Sequence, residues 1–121
     1  MRSRRLAIGC ALVLLAGPAL AGVSPAEQAR IDRLIEFVHS RKDVKFVRNG
    51  SDYSCEDAAK FMRGKMKSMG EHVTTAQQFI EQIATKSSTT GQLYMIRFAD
   101  GKTMPSAQFL GEELKRMDGK N

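Results

Sequence analysis

The chain has 121 residues, two cysteines, two histidines and a formal net charge of +6. That length admits one modest hydrophobic core and no second domain. With Cys10 in an expected export signal, Cys55 stands alone, so no intramolecular disulfide framework is possible. One cysteine with two widely separated histidines is too few soft ligands for a structural zinc site.

The N-terminus reads as an export signal. MRSRR is a basic start, LAIGCALVLLAG is an apolar run too short for a stable membrane anchor, and PALA places small residues at Ala19 and Ala21. Cleavage is expected after Ala21, leaving a single domain over residues 22–121 in the periplasm. No membrane-spanning segment is expected after that cut. Cys10 is not a lipidation site, because most of the apolar run follows it rather than precedes it. SRRLAI matches a twin-arginine signal only in part, so the general secretory route is the expected one. Arg2, Arg4 and Arg5 depart with the signal and take half of the surplus charge. The basic balance is therefore largely targeting, and no nucleic-acid surface is expected.

Ser24-Pro25-Ala26-Glu27 is a helix start, with a serine cap, a proline in the first turn and a glutamate three residues on. Ile31, Leu34, Ile35 and Val38 form one apolar stripe, and the helix is expected to run to about Ser40. Val44–Arg48 is β-prone and is followed by the turn pair Asn49-Gly50. Ser54 caps a second helix whose inner side is expected to hold Ala58, Met62, Met66 and Met69. Glu56, Lys60, Arg63 and Lys67 form its polar stripe, and Gly64 is expected to mark a close helix crossing. Thr75-Ala76-Gln77-Gln78 is a second capping box, opening a third helix with Phe79, Ile80, Ile83 and Ala84 inward. Ser87-Ser88-Thr89-Thr90-Gly91 is a loop. Leu93–Phe98 is the best strand, with Tyr94, Ile96 and Phe98 on one face. Asp100-Gly101 turns the chain, a short strand near Thr103 is admitted, and Ser106 is expected to cap a last helix lined by Ala107, Leu110, Leu114 and Met117.

These elements predict an α+β fold of four helices on a two- or three-stranded sheet, in the order α-β-α-α-β-α. A two-stranded ribbon is marginal alone and must lie against the helices.

The vocabulary of catalysis is thin. There is no glycine-rich phosphate loop, paired-histidine motif or nucleophile elbow, so an enzyme is the less favoured reading and no catalytic residue, metal or cofactor is assigned. His39 and His72 have no sequence neighbours that would build a triad. Cys55 falls in the first turn of the second helix, where the helix dipole favours a thiolate and Glu56 and Asp57 oppose it. It supports an alternative reading as a thiol-dependent redox factor or small enzyme, or as the bridge of a homodimer; the plainer reading is a buried small hydrophobe. The methionines are read as core, and Lys60, Arg63 and Lys67 as a solvated face. Two loops remain, one holding Arg48, Asn49 and Tyr53 and the other holding Ser87 and Ser88 ahead of Tyr94. If the two strands pair, these residues meet at one rim of the sheet as a donor surface for a carboxylate, sugar or peptide backbone. The competing account has Arg48 paired with a helix carboxylate and Tyr53 covering the core.

FVRNG, the tyrosine after it, Ala58-Ala59, the MRGK of the second helix, TAQQFI, and SSTTG with a tyrosine three residues on come in an order that resembles the YfeK-like family of small secreted bacterial proteins. The resemblance spans nearly the whole chain after the signal. It implies a periplasmic single domain of no established activity and carries over no catalytic residue. The expected function is a non-enzymatic periplasmic domain that binds a protein or a cell-envelope component.

Overall fold

The structure is a computed structural model that describes residues 22–119. The expected signal, Cys10 and the cleavage point at Ala21 lie outside the described residues.

Ser24 caps α1 (Pro25–Ser40) by accepting the Glu27 N–H at 3.2 Å. Only half of the expected capping box forms. The Glu27 carboxylate instead leaves its own helix, accepting the Ala76 N–H at 2.8 Å and pairing with Arg30 at 2.7 Å. It thereby ties α1 to the start of α3 (Ala76–Gln82). Ile31, Leu34, Ile35 and Val38 are buried, as their spacing requires.

β1 (Lys45–Arg48) pairs with β2 (Ser51–Ser54) through a two-residue turn in which Asn49 and Gly50 both have positive φ, 52° and 82°. Two positive φ values give the turn whose twist matches a β-hairpin. The segment Ser51–Ser54 is therefore a strand, where a loop was expected. β3 (Met95–Arg97) pairs with the other edge of β1, and β4 (Thr103–Pro105) with β3. The sheet has four antiparallel strands in the order β2-β1-β3-β4. The chain order becomes α-β-β-α-α-β-β-α, correcting the smaller sheet expected from the sequence.

α2 (Cys55–Met69) starts directly after β2, with Ser54 accepting the Asp57 N–H at 3.0 Å. α4 (Ser106–Asp118) follows β4 just as directly. Its cap position is Pro105, and Ser106 is its first residue, so the expected serine cap does not form. The Ser106 N–H donates to the Tyr94 carbonyl instead, locking the helix start to the strand segment at 2.9 Å.

The helices cover the sheet face that carries Phe46 and Ile96, and the core joins these to residues from all four helices, among them Leu34, Met62, Phe79 and Leu110. The opposite face holds an Asp52–Arg97 pair at 3.3 Å that reaches across β1. α3 is short because the Thr85 hydroxyl donates to the Ile80 carbonyl at 2.7 Å and draws the chain out of the helix. Ile83 and Ala84 are still buried just beyond its end. Gly64 meets no close neighbour, which overturns the expected helix crossing there. Met69 is 52 % exposed and is not part of the core.

Candidate functional site

The hairpin, α2 and the segment entering β3 frame one cleft with two adjoining lobes. The first, about 240 Å³, is lined by Phe46, Arg48, Tyr53, Asp57, Ala58 and Phe61. The second, about 370 Å³, shares Arg48 and Phe61 and continues past Lys65 and Met69 to Ser87, Ser88 and Tyr94. Two of the three large hydrophobic side chains exposed among the described residues, Tyr53 at 38 % and Met69 at 52 %, stand in opposite lobes.

Arg48 lies between the lobes. Alternation along β1 puts it on the same sheet face as Phe46, at the last rung before the turn, where no helix covers it completely. Its guanidinium carbon sits 4.6 Å from the centroid of the Phe61 ring. That distance is a cation–π contact. The expected ion pair with a helix carboxylate is absent: none of the ion pairs among the described residues includes Arg48, and its Nε is buried with no hydrogen-bond partner.

Lys65 is the residue that sequence reasoning missed. It is 7 % exposed and donates to the Lys86 carbonyl and the Tyr94 hydroxyl, both at 2.9 Å. Its ammonium lies 4.9 Å from the Tyr94 ring centroid and 5.9 Å from that of Phe61, the ring on which Arg48 rests. The signal was there to read. Lys65 follows Ala58 by seven residues and Met62 by three, so it falls on the buried stripe of α2 and not on the solvated one.

The hydroxyl groups do a different job. Ser87 is buried, accepts the Thr89 and Thr90 N–H groups at 3.3 Å and shares a bond with the Thr89 hydroxyl at 3.0 Å. Its oxygen is occupied in building its own turn. The Ser88 hydroxyl faces the Met69 sulfur at 3.6 Å. Asn49 accepts the Thr90 hydroxyl at 2.6 Å, which fastens the hairpin turn to the Ser87–Gly91 loop. The structure thus brings Arg48, Ser87, Ser88 and Tyr94 to one lobe, puts Tyr53 in the other, and uses Asn49 to hold the two loops together.

Cys55 occupies the first position of α2, but it is buried, with its thiol 3.6 Å from the Val44 carbonyl. Burial pushes the thiol pKa up, and the nearby Arg41 guanidinium offsets this only in part. The helix-start position therefore does not produce a stabilised thiolate here. Arg41 is itself engaged, stacking on Phe37 and Phe109 at 5.5 and 5.2 Å and pairing with Asp43, whose carboxyl it draws down to about 2. His39 faces Glu36 at 3.4 Å, and His72 is open to solvent. Among the described residues no group of three or more His, Cys, Asp or Glu is placed to hold a metal ion. None of the described helices is long and apolar enough to cross a membrane.

Comparison with known proteins adds no activity. The chain is 42 % identical over 89 residues to the "Uncharacterized protein YfeK" of Salmonella typhimurium, covering 72 % of this chain and 74 % of that protein. No solved structure matches. Residues 25–118 match the family described as "Family of unknown function (DUF5329)", and the chain belongs to that family.

Proposed function

We propose that this protein is an exported, non-enzymatic binding domain that engages a protein or a cell-envelope component through the Arg48 cleft. The observation that carries the reading is Arg48 itself. A guanidinium held over an aromatic ring, with no ion-pair partner and a buried Nε that lacks a hydrogen bond, at the junction of two open lobes, is an arrangement that internal packing does not require. Arginine and tyrosine at the mouth of a concave apolar surface are also the residue types that anchor contacts between proteins. Export is supported by the composition of residues 1–21.

The reading is tested in a periplasmic extract, with the protein recovered beginning at Gly22. Crosslinking of the wild type is compared with that of the Arg48→Ala, Tyr53→Ala double variant, and circular dichroism melts verify that both fold. The expected result is that specific crosslinked species disappear in the variant while its melt is unchanged. A variant that folds and keeps every crosslinked species rules the cleft out as the contact surface.

A further inference from the structure

The cleft has an unbalanced charge that its own contacts do not explain. Lys65 is almost wholly buried as a residue, and an ammonium in such surroundings needs a compensating charge or a full set of acceptors. Lys65 has neither, since its two partners, the Lys86 carbonyl and the Tyr94 hydroxyl, are both neutral. An ammonium carries three N–H donors, so one remains. If Lys65 served only as a strut between α2 and the segment before β3, a neutral side chain would do so with a smaller desolvation cost. Arg48 repeats the pattern beside it. Both cations are stationed on the Phe61 ring, at 4.6 and 5.9 Å from its centroid.

We propose that the cleft takes a monoanionic carboxylate carried on an apolar group, with the carboxylate between Arg48 and Lys65 and the apolar group against Phe61. This rests on the reading of the cleft as a binding site and names the chemistry that the site selects. Arg48 supplies a planar fork held over the Phe61 ring, which matches a carboxylate edge in a bidentate pair. Lys65 supplies a point charge and its remaining N–H. The serines, expected from the sequence to be the donors, contribute little, because Ser87 is spent on its own turn. Asp57 lines the lobe that holds Arg48. Two cations and one carboxylate leave a single positive charge, which suits a monoanion better than a phosphate dianion. The lobe walls supply the apolar half of the recognition, with Phe46 and Ala58 on one side and Met69 and the Tyr94 ring on the other.

The experiment is an NMR titration of the purified protein with three probes: N-acetylphenylalanine, its neutral amide, and inorganic phosphate. The Arg48 Nε–H and the Lys65 side-chain resonances are followed. The acid is expected to give saturable shifts at both residues, with affinity at least about tenfold above that of the amide or phosphate. Arg48→Gln is expected to lower the affinity for the acid about tenfold. Arg48→Lys keeps the charge but loses the planar fork, and is expected to fall between the wild type and Arg48→Gln. Both changes are on a half-buried side chain, so the test does not depend on a Lys65 variant that folds. Equal binding of acid and amide overturns the carboxylate while leaving the cleft a binding site. Tighter binding of phosphate overturns the monoanion. No saturable shift with any probe overturns the proposal outright, and the crosslinking comparison still decides separately whether the cleft contacts a larger partner.

Discussion

Lys65 shows how one buried side chain can be structural and still keep an N–H to offer. Its stem runs along the buried stripe of α2, and its head reaches two acceptors from outside that helix. The Tyr94 hydroxyl is the acceptor that a substitution can remove without changing shape. Tyr94→Phe keeps the ring against Phe46 and Phe61, which stand 5.2 and 5.7 Å away, and deletes only the oxygen. The buried ammonium is then left with the Lys86 carbonyl alone. Leaving a buried charged donor short of a partner costs about 1–3 kcal/mol. Urea unfolding is expected to show Tyr94→Phe less stable by that amount with an unchanged denaturant slope. An unaltered midpoint would mean that the ammonium finds another acceptor.

At the scale of elements, the hairpin explains both what was legible in the sequence and what was not. Helix starts were legible because a cap is a local event: Ser24, Ser54 and Thr75 each accept the N–H three residues on. The strand Ser51–Ser54 was not, because Ser-Asp-Tyr-Ser carries no apolar alternation. What makes it a strand is the Asn49-Gly50 turn and the partner it folds back on. The same local logic failed at the other end of the sheet, where Pro105 takes the cap position and Ser106 turns inward to bond Tyr94. Of the site, the two loops were legible, but their approach only on the condition that the two strands pair, which β1 and β3 do. Lys65 was overlooked because a lysine among solvated lysines reads as surface until its helical phase is counted. The turn itself is testable. At φ 82° Gly50 occupies backbone space that a Cβ disfavours, although nothing nearby would clash with the added carbon. Gly50→Ala is therefore expected to cost about 1–2 kcal/mol by backbone strain alone. It is also expected to loosen the Asn49–Thr90 link, read as faster amide exchange at Thr90 and Gly91.

Across the whole molecule, the helical layer is held together by packing and, where α1 meets α3 and α4, by a cluster of charges. The Glu27 carboxylate binds the first N–H of α3, which lies 49 positions away in sequence, and shares Arg30 with Asp118 of α4. Three helices thus meet at one carboxylate–guanidinium cluster. The Ala76 N–H, more than Arg30, holds the Glu27 pKa below its ordinary 4.5. A group with a depressed folded pKa is more easily protonated in the unfolded chain, so acid favours unfolding. Its contribution is fully present above pH 4.5 and is lost as the pH falls through the lower folded value. Asp43, held at about 2 by Arg41, adds a similar acid dependence from the far end of α1. Both carboxylates act in the wild type, whereas Glu27→Gln keeps only Asp43, and the difference between the two stability curves isolates Glu27. Glutamine can still accept the Ala76 N–H but cannot carry the charge that pairs with Arg30. Glu27→Gln is accordingly expected to be less stable than the wild type at neutral pH. The two curves should converge as the pH falls below 4.5, measured as urea midpoints across that range. A gap that does not change with pH would show that the charge on Glu27 contributes nothing to stability.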